Sequence, residues 1–427
     1  MQRFFFILAT LLVFCLVGVG CSDPNPGQDV ITIEERDVPE PFDPGPRKPL
    51  LLVGIDGFKT EYLDLIPTPN FDAIIAEGVL ADSMIPVFPS KTMVNLYSIV
   101  TGLYPENSGI LSNSMYDAEI DAEFRMFGDA MSDSHWWEGE PIWVTAENQD
   151  VRTGTVFWVG SEALIKGVQP THWVPYDSRI GHQLRVDRAL EWLTLDDDTR
   201  PEFVTLYFSR PDNVGHEHGP DSQNIRGAIQ AMDDTLGYLM RRLKEAGLWD
   251  EMNIVFVSDH GMTNTDEDHV IMLDEIITLT DVRMIEWTPV AMIQPRVGRL
   301  DSVYNQLKAA ENNYRVYKRD DLPEHYRLKN HHRVPDIVIV ADLPYTITNA
   351  NFLASNGVFA GNHGYDPREP DMHAFFMARG PDFKAGERPE TVELIDLYEM
   401  MAYLLRIDPA PNDGSFDGIS SILDMER

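Results

Sequence analysis

Five short apolar runs limit what this chain can fold into: LLLVGIDG from Leu50, FVTLYFSRPD from Phe203, NIVFVSDHGM from Asn253, DIVIVAD from Asp336 and HAFFMARG from His373. They are β-branched or aromatic and run without the alternation that a half-exposed strand shows. Helical patterns such as Ile225 to Ala246 separate them. Strands buried on both faces read this way, so the sequence predicts an α/β fold, a mostly parallel central sheet flanked by helices. In such sheets functional residues gather beyond the carboxyl ends of the strands, where Asp56, Asp212, Asp259 and His260 stand. Between 262 and 355 a strand, a helix, another strand and the charged run YKRDDLPEHYRLKNHHR interrupt the pattern before Gly361. This stretch reads as a small inserted cap subdomain.

The chain has 427 residues, 43% of them hydrophobic, enough for a substantial core. A formal charge of −35 with no basic stripe excludes a nucleic-acid-binding surface. The same acidity makes an anionic substrate awkward unless something strongly positive, such as metal ions, sits in the site. The start, MQRFFFILATLLVFCLVGVGCSDPNPGQ, reads as an export signal over 1–20. Cys21 stands where a bacterial lipoprotein signal carries its lipidated Cys, and a Pro-rich linker follows over 21–48. The expected location is the bacterial cell envelope, periplasmic or as an outer-membrane lipoprotein, with a catalytic domain from 49 to 427; an uncleaved membrane anchor is the alternative. The two cysteines, Cys15 and Cys21, both lie in the leader, so the domain has no disulfide and no thiolate ligands.

In VFPSKTMVNLYSIVTGLYPENSGILSN, apolar Met93, Leu96, Tyr97 and Val100 recur at helical spacing and Gly102 stops the pattern. Thr92 falls in the first turn, where a hydroxyl is ordinarily a cap. Four fragments suggest another use for it: GIDG with Asp56, RPDNVGHEHGP with Asp212 and His216, SDHGM with Asp259 and His260, and GNHGYD with His363. Together they supply three carboxylates and three imidazoles, the zinc donors left when cysteine is absent. Asp212, His216 and His363 could complete one site. Asp56, Asp259 and His260 could form another, with Thr92 Oγ1 as fourth ligand. A metal ion activates a coordinated hydroxyl, and a helix N-terminus suits a phosphate. Asn113, in LSNSMYD, could add a hydrogen bond to a non-bridging oxygen.

This order, Asp56, Thr92 in FPSKT, Asn113 after TGLYPENSGI, Asp212 with His216, SDHGM and GNHGYD, resembles the nucleotide pyrophosphatase/phosphodiesterase family of the alkaline phosphatase superfamily. The likeness runs from about Leu50 to Ile407 and takes in PIWVTAE, FWVGSE and DRALEWL. It implies an alkaline-phosphatase-like fold and two Zn²⁺ per chain. It also implies a phosphodiesterase or nucleotide pyrophosphatase in which Thr92 attacks phosphorus and a phosphothreonine intermediate is hydrolysed by water. By that likeness Asp212, His216 and His363 hold one zinc, and Asp56, Thr92, Asp259 and His260 the other. Tyr176 and Tyr207 match the family's aromatic residues that sandwich a base or head group. Met93 stands where nucleotide-cleaving members usually carry Phe, and offers a softer wall. The expected substrate is a small phosphodiester or nucleotide, the alternatives being a lipid head-group phosphodiester or a phosphomonoester. Thr92 and the absence of a domain Cys speak against a sulfatase.

Overall fold

The computed structural model describes residues 46–425; the export segment, Cys21 and most of the linker lie outside them. A seven-stranded sheet forms the body, in the order Val79–Leu80, Phe376–Arg379, Asn253–Val257, Leu50–Ile55, Phe203–Phe208, Thr153–Val156 and His172–Val174. Leu50–Ile55 pairs in parallel with Phe203–Phe208 on one side and Asn253–Val257 on the other. Thr153–Val156 and His172–Val174 continue the parallel part. Every residue of the three central strands is buried, which is why they read as unbroken apolar runs.

Two of the five runs depart from the parallel expectation. Phe376–Arg379, from HAFFMARG, pairs antiparallel with both of its neighbours. Ile337–Ala341, from DIVIVAD, belongs to a separate four-stranded antiparallel sheet with Val282–Glu286, Val290–Pro295 and Tyr314–Lys318. Its Val338 and Val340 face the main core, while Ile337, Ile339 and Ala341 join a second core with Val303, Leu307 and Tyr314. Such a strand is covered on both faces and reads as apolar throughout. The pattern reports burial, not direction or sheet.

The helix Thr92–Thr101 is buried along its whole length. Asn95 fastens the loop that enters it: its Oδ1 accepts from Val87 N–H at 2.7 Å, and its Nδ2 donates to the carbonyls of Lys91 and Pro89 at 3.0 and 3.1 Å. The first turn of the helix is thereby fixed over the carboxyl ends of the central strands. Among the described residues no helix is long and apolar enough to cross a membrane.

Candidate active site

Thr92 is the first helical residue, not the cap. Lys91 occupies the N-cap position, and no side chain caps the helix. The Thr92 hydroxyl lies instead 3.2 Å from His260 Nε2. Asp56 directly follows the strand Leu50–Ile55, and Asp259 and His260 follow Asn253–Val257. Asp212 and His216 lie one turn apart on the helix Asp212–His218, which puts their side chains on one face. Two glycines admit the close approach these loops need. A Cβ at Gly57 would stand 3.0 Å from the Asp212 Cβ, and one at Gly361 would stand 2.5 Å from the Gly215 carbonyl oxygen.

The donors fall into two groups. In one, Asp212 Oδ1 lies 3.4 Å from His216 Nε2 and 3.6 Å from His363 Nε2, and the two Nε2 atoms are 3.1 Å apart. In the other, His260 Nε2 lies 3.1 Å from Asp259 Oδ2, 3.5 Å from Asp56 Oδ1 and 3.2 Å from Thr92 Oγ1. Ligands about 2.0–2.2 Å from a tetrahedral cation stand at separations of this size.

Hydrogen bonding behind the site fixes the histidine tautomers. The Nδ1 atoms of His216, His363 and His260 each lie 2.9 Å from a carbonyl oxygen, of Gly361, Ser90 and Gly261 respectively. Nδ1 must therefore carry a proton, and each of the three Nε2 atoms is turned to the site, with its lone pair free wherever the imidazole is neutral. Two bare acceptors 3.1 Å apart repel one another unless a cation lies between them. The carboxylates agree with this. Asp259 Oδ1 accepts from Gly57 N–H at 3.1 Å and Asp56 Oδ2 accepts from the Tyr207 hydroxyl, whereas Asp259 Oδ2, Asp56 Oδ1 and Asp212 Oδ1 are buried without a hydrogen-bond partner. Buried polar atoms are seldom left so, and these three face the Nε2 atoms. The donor set fits divalent cations.

Electrostatics without a cation point the same way. Burial, then the Asp259 and Asp212 charges, push the Asp56 carboxyl well up, and burial pushes Asp212 up against the opposing pull of His216 and His260. Burial, then the neighbouring His260 and His216, push His363 well below its ordinary value. Against burial, Asp259 and His260 favour each other's charged forms, which lowers the acid and raises the imidazole, so the unrelieved negative charge falls on Asp56 and Asp212, where added positive charge would stabilise it.

Two cavities flank these groups. One, of about 530 Å³, is walled by Asp56, Thr92, Phe127, Tyr176, Tyr207 and Asp212. The other, of about 290 Å³, opens toward the second sheet and is walled by Lys91, Asn113, Glu286, Trp287, His216 and His363. Asn113 Oδ1 accepts from Met93 N–H at 3.1 Å, which leaves its amide N–H₂ to serve the site. Met93 is buried and borders, with Tyr176 and Tyr207, a small void of about 30 Å³. The Tyr207 ring is tilted 60° from that of Tyr176 and its hydroxyl is committed to Asp56, so it stands behind a carboxylate and is no free stacking face. Sequence reasoning missed this bond, along with Phe127 and the ion pair of Lys91 Nζ with Glu286 Oε2 at 3.2 Å. Of these, only Phe127 carried a local signal, the turn-forming Gly128 beside it.

A family model described as type I phosphodiesterase / nucleotide pyrophosphatase matches residues 50–366. The chain belongs to that family. Human ectonucleotide pyrophosphatase/phosphodiesterase family member 5 is 37% identical over 375 residues, spanning 88% of this chain and 78% of the relative. Human bis(5'-adenosyl)-triphosphatase ENPP4 is 38% identical over 377 residues, spanning 88% and 82%. The solved structure of murine NPP5, as an inactive threonine-to-alanine variant in complex with AMP, matches with a TM-score of 0.85 at 36% identity over 88% of this chain and 100% of that one. The α/β body is thus the alkaline-phosphatase-like fold of the phosphodiesterase family. As a member, the protein is a metal-dependent phosphodiesterase/nucleotide pyrophosphatase, a hydrolase of phosphoric ester or anhydride bonds.

Proposed function

We propose that the chain binds two Zn²⁺, one on Asp212, His216 and His363 and one on Asp56, Thr92, Asp259 and His260, and hydrolyses nucleotide phosphodiesters and pyrophosphates in two displacements. The observation that carries this reading is the set of three Nε2 atoms, turned inward by their Nδ1–H bonds to carbonyls, facing three carboxylate oxygens that have no other hydrogen-bond partner. Bound zinc supplies positive charge for the phosphoryl oxygens and lowers the pKa of a hydroxyl beside it. Thr92 Oγ1 attacks phosphorus from the first turn of its helix, whose partial positive charge favours an anion there. The bond to the leaving oxygen breaks, and Thr92 carries the phosphoryl group until water releases it. Asn113 donates to a non-bridging oxygen, its side chain steadied by Met93 N–H. Tyr176 offers a ring to the nucleoside. The AMP held by murine NPP5 and the name of ENPP4 support nucleotides over lipid head groups.

The N-terminal sequence adds export and attachment through a lipid on Cys21 at a bacterial envelope, with residues 49–427 as the catalytic domain and 262–355 as its inserted cap. The test of the metal reading is removal and return. Chelation abolishes activity, zinc restores it, and elemental analysis finds about two zinc ions per active chain. Less than one metal per active chain contradicts it. A panel of a nitrophenyl ester of AMP, a choline-phosphate ester and a phosphomonoester, cleaved fastest in the first case, checks the substrate class.

A further inference from the structure

Phe127 is one of the few large apolar side chains left open to solvent, 59% exposed, and its backbone is left-handed at φ 64°. A bulky residue in that conformation is costly and persists where surroundings impose it, often at ligand clamps. Here Arg125 O accepts from Gly128 N–H at 2.9 Å, and Phe127 N–H points at Met131 Sδ at 3.1 Å. The ring lies flat on Tyr176, with centroids 4.7 Å apart and planes 24° from parallel. It walls both the 530 Å³ cavity at Thr92 and the 30 Å³ void beside Met93.

Tyr176 has no other face to give. Phe157 meets it edge-on at 6.0 Å, Tyr207 is tilted at 6.2 Å and the Arg185 guanidinium stands 5.8 Å from its centroid. All three of those residues are buried, so only Phe127 can vacate its place. The void beside Met93 has room for a water or two, not for a base. A nucleobase that stacks on Tyr176 must therefore move Phe127. We infer that Phe127 is a hinged clamp: it stacks on Tyr176 in the free enzyme, opens to admit a purine or pyrimidine, and closes on the base's outer face. It thereby supplies the rigid second wall that Met93 does not. Base–aromatic stacking is stronger than the phenyl–phenol stack it replaces, so the exchange favours binding, and favours purines most.

This rests on the nucleotide reading of the site, and the test separates the two. Wild type, Phe127→Ala, Phe127→Leu and Phe127→Tyr are compared as zinc-loaded enzymes in AMP binding by calorimetry. The same set is compared in kcat/KM for the nitrophenyl ester of AMP relative to nitrophenyl methyl phosphate, which has no base. The clamp predicts that Ala and Leu weaken AMP binding about fivefold and lower the kcat/KM ratio by a similar factor, while Tyr restores both. Tighter AMP binding by Phe127→Ala would mark the ring as a stopper competing with the base and overturn the clamp. So would unchanged binding, or a wild type that does not bind AMP at all. If wild type cleaves neither ester while AMP affinities follow the expected order, the catalytic reading fails and the clamp stands.

Discussion

Replacing Arg333 by Met should destabilise the domain by roughly 3–5 kcal/mol, although Arg333 lies in a charged run that reads as surface. Its side chain is 1% exposed and donates through Nε to Asp117 Oδ2 at 2.9 Å, and Asp117 is wholly buried. The remaining guanidinium nitrogens donate to the carbonyls of Gly109, Trp136 and His135 at 3.1, 3.0 and 2.9 Å. The guanidinium also stands 5.0 Å from the Trp136 ring centroid. Burial would push the Asp117 carboxyl up, but the hydrogen bonds of Arg333 and His332 hold it well below the ordinary carboxylate range. Met keeps the alkyl stem and removes the charge, leaving Asp117 buried with two imidazoles, His135 and His332, at 3.2 and 3.1 Å. Those partners place the cost near the lower end, about 3 kcal/mol, or roughly 3–5 °C in melting temperature for a domain of this size. The decisive arm is Asp117→Asn with Arg333→Met: with neither charge left alone, at least half the loss should return. A single variant melting within about 1 °C of wild type, or a double variant as unstable as the sum of the singles, would refute the reasoning. The outcome bears on function, since Asp117 ends the strand that follows Asn113.

Two further outcomes follow from other parts of the molecule. Thr92→Ala should lose activity on the order of a thousandfold or more while melting within about 1 kcal/mol of wild type, because the hydroxyl caps nothing; wild-type turnover in that variant would remove Thr92 as nucleophile. His182, half-buried with Nδ1 3.1 Å from Thr235 Oγ1, is lowered to about 4 by burial and by the charges of Arg185 and Arg210. The unfolded chain therefore takes up a proton below about 6.5 that the folded chain refuses until about 4, and stability present above that window is lost as pH falls through it. The loss by pH 5, discounted for partial exposure, is about 1–2 kcal/mol, so urea midpoints at pH 7.5 and 5 should differ less in His182→Gln than in wild type. Equal differences would show that His182 does not titrate this way.

The donor groups were legible because their chemistry is scarce. Asp and His beside Gly at the ends of apolar runs stand out in the sequence, and folding brings all six together with Thr92, Asp212 standing close to both sets. Strand direction was not legible, because Phe376–Arg379 and Ile337–Ala341 are covered on both faces as a parallel strand would be. Thr153–Val156 gave no apolar run at all: Thr153 is buried, with its hydroxyl bonded to Glu147 at 2.8 Å. Arg333 and His331 sit in a run whose composition reads as solvated, yet both are buried against the body. Bonds such as Tyr207 to Asp56 join residues 151 positions apart and leave no local trace.

The central claim, that Thr92 carries the phosphoryl group between two displacements, is tested most directly by stereochemistry at phosphorus. A nitrophenyl ester of adenosine 5'-phosphorothioate of one configuration is hydrolysed in isotopically labelled water, and the configuration of the product is read. Each in-line displacement inverts phosphorus, so attack by Thr92 followed by water predicts net retention. Net inversion would mean a single direct attack by water and would contradict the account.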